Sequence, residues 1–212
     1  MPKKNLRNMV GYGAKGKKIS WPNNAKLALQ IVLNYEEGGE SCILNGDKYS
    51  ETFLSEIIGA KAIKGRHISM ESIYEYGSRA GFWRLDKLFK EKKIPVTIFG
   101  VALALKQNPE VCEAIKTGDY EIAAHGYKWI DYQEVKKSVE KKHMQQAIKI
   151  IKGIFGSRPQ GWYTGRCGPN TRDLIFEEGG FLYDSDSYSD DLPYWEYRGK
   201  KKQLIIPYTL DN

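Results

Sequence analysis

Two adjacent carboxylates, Glu36 and Glu37, stand in the run Asn34-Tyr35-Glu36-Glu37-Gly38-Gly39-Glu40, directly after the apolar stretch Leu27 to Leu33. A carboxylate at the end of a buried strand can take a proton from water when its surroundings tune it. Neighbouring side chains diverge there, so one can face a site and the other a supporting partner. The two glycines that follow let the chain turn sharply or a ligand come close. Far downstream, in Glu121-Ile122-Ala123-Ala124-His125-Gly126-Tyr127-Lys128-Trp129, a short apolar strand ends in one of only three histidines. A histidine in that place can bind a metal or hand a proton to a leaving nitrogen. Carboxylates after one strand and a histidine after another are the parts of a water-activating hydrolase. Residue by residue, the blander readings are solvated loop glutamates and a structural histidine; the shared position after strands favours function.

Three further groups could serve such a site. Arg166 lies between glycines in Gly161-Trp162-Tyr163-Thr164-Gly165-Arg166-Cys167-Gly168, where it suits a carboxylate anchor or a carbonyl clamp. Asp184, Asp186, Asp190 and Asp191 form an acidic patch rich in tyrosine, which could equally be a solvated loop. Aromatic residues, among them Trp129 and Tyr163, suit a flat ring or a sugar. A catalytic zinc normally takes three protein ligands, and a second histidine four residues after His125 would fall at Trp129. One histidine and a carboxylate make a weak metal site, so no bound metal is expected, with zinc as the alternative for a deacetylase.

These groups must be positioned by strands alternating with helices. The pattern predicts strands over 27–33, 96–101, 121–124, 161–164, 181–184 and 203–208. It predicts a helix with Trp83, Leu85, Leu88 and Phe89 on its inner side, and helices over 109–116, over 134–155 and over 170–178. The longest helix should bury Val135, Val139, Ala147, Ile148 and Ile151. Residues 38–72 read as a long connection with at most a short helix near 53–58, and such loops are usually functional. Strands separated by helices pair in parallel, and polar signals after every strand place the chemistry on one face, as in a (β/α) barrel. A doubly wound sheet is the alternative. Residues 1–25 read as an N-terminal arm and 26–212 as one domain.

The 212 residues suffice for one sizeable core, and the hydrophobic fraction of 41% is ordinary. No stretch is long and apolar enough for a membrane span, and the basic start Met1-Pro2-Lys3-Lys4 has no apolar segment behind it. Three scattered cysteines argue against a disulfide framework and point to a reducing cytoplasm. The net charge of +7 could suggest nucleic acid, but the lysines are spread over helix surfaces and one turn, Lys200-Lys201-Lys202. No nucleic-acid or membrane partner is expected.

In order and content, these blocks resemble the polysaccharide deacetylase (NodB-like) family. Within it they are similar to the metal-independent allantoinase branch. The resemblance rests on residues 34–40, on Ser69-Met70-Glu71-Ser72-Ile73-Tyr74-Glu75-Tyr76-Gly77-Ser78-Arg79, on residues 161–166, on Tyr183-Asp184-Ser185-Asp186 and on Ile206-Pro207-Tyr208-Thr209-Leu210-Asp211. It covers nearly the whole chain. It implies a distorted (β/α) barrel and hydrolysis of an amide bond in the allantoin ring without metal. Glu36 would be the base and His125 the donor to the leaving nitrogen or the oxyanion support. Glu37 and His125 would occupy former metal-ligand positions, and Trp129 the position of the second metal histidine. Arg166 would orient the base or bind substrate, with Glu37, Trp129, Tyr163 and Asp186 as further substrate-binding candidates. Family members run on past Asn212, so the resemblance implies a barrel short of its last strands, an open edge and a possible homo-oligomer. An N-deacetylase of amino sugars and an inactive remnant that only binds are the alternatives.

Overall fold

The computed structural model describes residues 7–209. The basic start Met1–Lys4 and the Leu210-Asp211 end of the last block lie outside them. Contacts group the chain into two units, up to Gln30 and from Ile31 onward. In the first, the described residues are largely irregular, with two one-turn segments, Gly13–Lys15 and Pro22–Asn24.

The second unit is a mixed α/β fold on a seven-stranded sheet. In chain order its strands are β1 (Val32–Tyr35), β2 (Thr97–Gly100), β3 (Glu121–Ala124), β4 (Gly161–Trp162), β5 (Tyr183–Asp184), β6 (Tyr194–Arg198) and β7 (Lys201–Ile205). The spatial order is β1-β2-β3-β4-β5-β7-β6. Every neighbouring pair is parallel except the hairpin of β6 and β7, so the first five strands and β7 point the same way. The hairpin turns at Gly199, whose φ of 59° suits a residue without Cβ. Its pairing Arg198↔Lys201 places the basic run at the turn, as expected.

The central strands separate two apolar layers, as parallel strands covered on both faces must. Ile98, Ile122 and Trp162 face the helices, in a cluster with Met144, Ala147, Ile151 and Leu174. Phe99, Ala123, Tyr163 and Tyr183 face inward, with Val32, Leu204, Ile206 and Tyr208 packed against them. The inner cluster thus gathers side chains from β1 and from the segment after β7, which is the curl expected of a distorted barrel. Among the described residues β1 and β6 each have one ladder partner.

The helices are α1 (Ile68–Tyr76), α2 (Phe82–Lys92), α3 (Ala102–Gln107), α4 (Pro109–Thr117), α5 (Lys137–Phe155) and α6 (Thr171–Glu178). Several depart from the sequence reading. The first strand starts at Val32, not at Leu27, and Leu27 and Leu29 are 74% and 78% exposed. Its partner β2 follows Pro95, which has no N–H to continue a ladder, so pairing has nothing to extend to. No helix forms near 53–58. Helix α1 rises instead from the end of the long connection, and a π-helical segment, Gly77–Gly81, joins it to α2. The buried face of α2 is Phe82, Asp86 and Phe89, while Leu85 and Leu88 stay partly exposed. In α5 the buried stripe is Glu140, Met144, Ala147 and Ile151, since the helix begins only after Val135 and Val139 faces out. Glu140 is tolerated there because its carboxylate accepts from the Thr171 hydroxyl. Among the described residues no helix is long and apolar enough to cross a membrane.

Candidate active site

All the polar signals fall at the carboxyl ends of parallel strands, where open and closed α/β sheets place their ligands. Along β1, Val32, Asn34 and Glu36 share the inward face, and Tyr35 turns outward, its hydroxyl held by the Asn108 amide at 3.1 Å. One residue beyond β3, His125 continues the ladder through its N–H to the Gly100 carbonyl at 2.9 Å. Its ring is 1% exposed and edge-on to Tyr163 at 4.9 Å. The two predicted catalytic residues meet: His125 Nε2 is 3.1 Å from Glu36 Oε1. The Asn34 amide donates to the same oxygen at 3.2 Å. The other ring nitrogen of His125, Nδ1, is buried with no partner among the described residues.

A second cluster stands beside this pair. The Trp129 N–H donates to the Gly39 carbonyl at 2.8 Å, and Glu40 bridges to Trp129, so the loops after β1 and β3 are tied together. The Arg166 guanidinium lies 3.7 Å from the Trp129 ring centre and 4.8 Å from that of Phe53. A planar cation stacked on an aromatic face keeps its in-plane N–H groups directed away from the ring. Its ion pair is with Glu51, at 3.5 Å. Tyr74 meets Trp129 edge-on at 6.0 Å, and its hydroxyl is buried without a partner among the described residues.

The remaining candidates surround these two clusters. Asp186 accepts from the Thr164 and Gly165 N–H groups, both at 2.9 Å, and from the Thr164 hydroxyl. Burial pushes its carboxyl up while those hydrogen bonds pull it down. Its carboxylate therefore shapes the loop that carries Arg166. Arg172 braces the same region, donating to the Asp186 carbonyl at 2.8 Å and pairing with Asp184 at 3.0 Å. Tyr163 stacks on Tyr208 at 4.7 Å and shares a hydrogen bond with the Tyr188 hydroxyl at 3.2 Å. The Asn34 side chain reaches the Tyr208 hydroxyl. Glu37 points away from Glu36. Its carboxylate accepts the Glu36 N–H at 3.0 Å and lies where a Cβ on Gly77 would stand. There it lines a cavity of about 240 Å³ with Glu40, Tyr74, Ser78 and Gln107, and burial pushes its carboxyl up.

Glu36, His125, Tyr163, Trp129 and Arg166 are thus gathered at one end of the sheet, with Asp186 behind them and Glu37 on the far side of the β1 end. Five residues of this region were not singled out from the sequence as site residues: Asn34, Glu51, Phe53, Tyr74 and Tyr208. Asn34, Tyr74 and Tyr208 lie inside the blocks that carry the family resemblance, and Glu51 and Phe53 lie in the long connection. Those were the available signals, but neither block nor loop length says which side chain turns inward.

A metal does not fit these donors. Among the described residues no three His, Cys, Asp or Glu side chains converge. Glu36 and His125 are bonded to each other, Glu37 faces away, and a guanidinium lies over Trp129. A cation beside that guanidinium would meet like charge rather than a third ligand.

A model of the polysaccharide deacetylase family matches residues 64–175. A Schizosaccharomyces pombe protein named "Putative polysaccharide deacetylase" is 40% identical over 210 residues, covering 90% of this chain and 65% of the relative. The chain therefore spans just under two thirds of the length of that curated relative. A crystal structure of a "probable Polysaccharide deacetylase" from Pseudomonas aeruginosa PAO1 is 57% identical, with a TM-score of 0.93 over 98% of this chain and 70% of the other. A crystal structure of PuuE allantoinase is 55% identical, also with a TM-score of 0.93 over 98% of this chain and 70% of the other.

Proposed function

This chain belongs to the polysaccharide deacetylase family of hydrolases, and from that premise we propose that it hydrolyses an amide bond of a cyclic ureide, as allantoin to allantoate. The observation that carries the reading is the pairing of Glu36 with His125 at 3.1 Å beside an arginine stacked on Trp129. In this reading Glu36 is the general base. Asn34 and His125 both hold Oε1, which leaves Oε2 to take a proton from water as its oxygen attacks the ring carbonyl carbon. The carbonyl oxygen becomes an oxyanion, and the in-plane N–H groups of Arg166 are the donors suited to it or to a second ureide oxygen. The carbon–nitrogen bond then breaks, and the proton on Glu36 passes to the leaving nitrogen, with His125 holding the carboxyl in place. The likeness to a solved allantoinase supports the same substrate class.

The test is allantoate formation by the purified chain with excess chelator present. Turnover should persist, and Glu36→Gln should lower kcat by about 10²–10⁴-fold, the usual worth of a positioned base. Turnover that chelator abolishes, or that Glu36→Gln leaves intact, would sink this reading. The second reading, removal of acetyl groups from amino sugars, draws on the names of the relatives and on the tyrosine-rich wall of Tyr163, Tyr188 and Tyr208. Acetate release from acetylated oligosaccharides, without ureide turnover, would select it.

A further inference from the structure

The guanidinium of Arg166 needs something to hold it. Arginine has several freely rotating bonds, and a clamp that must be ordered anew for each substrate binds more weakly than one set in advance. Trp129 and Phe53 supply two faces, but stacking fixes a plane, not the rotation within it. Phe53 itself is 66% exposed on a connection without regular structure, so it needs holding as well.

Glu51 touches both. One carboxylate oxygen, Oε1, accepts the N–H of Thr52 at 2.7 Å and of Phe53 at 2.9 Å, closing the turn that carries the Phe53 ring. The other, Oε2, pairs with Arg166 Nη1 at 3.5 Å. The Phe53 ring then stands 5.6 Å from Trp129, edge-on, with Arg166 against both rings. The backbone under Glu51 is anchored on either side. Its own N–H donates to the Ser41 carbonyl at 2.8 Å, the Ser50 N–H to the Ile63 carbonyl at 2.9 Å, and the Thr52 hydroxyl to the Ala60 carbonyl at 2.8 Å. Ser50 and Thr52 are buried. A carboxylate rising from a fixed base can hold a mobile cation; one on a loose loop could not.

We propose that Glu51 is a positioning residue of this site: it fastens the Phe53 turn with one oxygen and sets the Arg166 guanidinium over Trp129 with the other. The kinetic part rests on the reading of Arg166 as a substrate clamp; the structural part does not. The division of labour between the two oxygens makes the substitutions informative. Glu51→Gln keeps a carbonyl oxygen for Thr52 and Phe53 and loses the charge. Glu51→Ala loses both.

Two readouts separate the structural claim from the function. The first is acrylamide quenching of Trp129, taken as the difference between each protein and its Trp129→Phe counterpart. Glu51→Ala should raise the Trp129 quenching constant about twofold or more, since both stacking partners are released, and Glu51→Gln should raise it less. On an Arg166→Met background, the effect of Glu51→Gln should largely vanish, because the pair then has one member missing. The second is steady-state kinetics, where Glu51→Ala should raise KM about tenfold with kcat changed less than about threefold, and Glu51→Gln should fall between it and the parent. Quenching that is the same in parent and Glu51→Ala overturns the proposal, as does full additivity of Glu51→Gln with Arg166→Met. A loss of kcat at constant KM overturns it too. If Glu51→Ala does not fold, Glu51→Gln and its cycle with Arg166→Met carry both readouts. If the parent turns over neither ureides nor acetylated sugars, the proposed function fails, and the quenching cycle still decides for or against Glu51.

Discussion

Glu36 and Glu37 are neighbours in sequence with different surroundings, and the difference comes from the side of the β1 end each occupies. Glu36 keeps a 21% exposed side chain, bonded to Asn34 and His125 and open to water. Glu37 is half-buried on the other side, where it lines a cavity and desolvation pushes its carboxyl up. Tyr74 shows the same local logic from the opposite direction. Its hydroxyl is buried, faces the charges of Glu51, Glu40, Glu36 and Arg166, and has no hydrogen-bond partner among the described residues. Leaving a buried hydroxyl unpaired costs about 1–3 kcal/mol, so removing the oxygen while keeping the ring should cost the fold nothing. We expect Tyr74→Phe to unfold at the same denaturant midpoint as the parent, or higher by up to about 1 kcal/mol in stability. A midpoint lower by the equivalent of about 1 kcal/mol would mean that the hydroxyl has a partner in solution.

At the level of elements, the join between α1 and α2 matters most for the site. Five residues, Gly77–Gly81, take π-helical geometry in an otherwise α-helical run. Such bulges are rare and cluster at functional sites. Here the physical reason is visible at Gly77, where a Cβ would occupy the place of the Glu37 carboxyl. Gly77→Ala must therefore displace the Glu37 carboxyl, which accepts the Glu36 N–H. We expect it to lower stability by about 1–3 kcal/mol, the usual range for overpacking, and to lower turnover as well. Gly153 in α5 is the control, because a Cβ there meets nothing within 4 Å. Gly153→Ala should raise stability by about 0.5–1 kcal/mol by helix propensity alone. Thermal melts of the two variants check both signs, and equal shifts would remove the argument from Gly77.

Across the whole molecule, the buried carboxyls set how the fold answers to pH. Burial, then the charge of Asp186, pushes Asp184 from its ordinary 3.8 up to about 7, and the ion pair with Arg172 offsets only part of this. Glu37, Glu40 and Glu140 are raised in the same sense by burial. The folded chain therefore keeps protons that the unfolded chain releases. That contribution to stability is complete below the unfolded value near 3.8 and is lost as pH rises toward about 7. Melting temperature should fall between about pH 4 and pH 7, and Asp184→Asn should make the fall clearly shallower. An unchanged slope in Asp184→Asn would show that Asp184 ionises normally in the fold.

Much of this was legible in the chain by itself. Alternating apolar runs and helices announced a parallel α/β sheet, because each strand of such a sheet must be apolar on both faces. The places where those runs ended in Glu36, His125 and Arg166 nominated the candidate site, since strand ends share one side of a parallel sheet. Other features depended on contacts between distant segments, which no local pattern carries. Pairing with β2, cut short by Pro95, decided that the first strand begins at Val32 and leaves Leu27 and Leu29 exposed. Packing decided which face of α2 and α5 is inner, because a single register shift redistributes the same residues. The π-helical join, the inward turn of Tyr74, and the hold of Glu51 on Arg166 and Phe53 exist only once the connection of residues 38–66 lies across the loop after β4. Spacing along a chain can nominate residues for one site, but their mutual distances are set by the strands and loops that carry them.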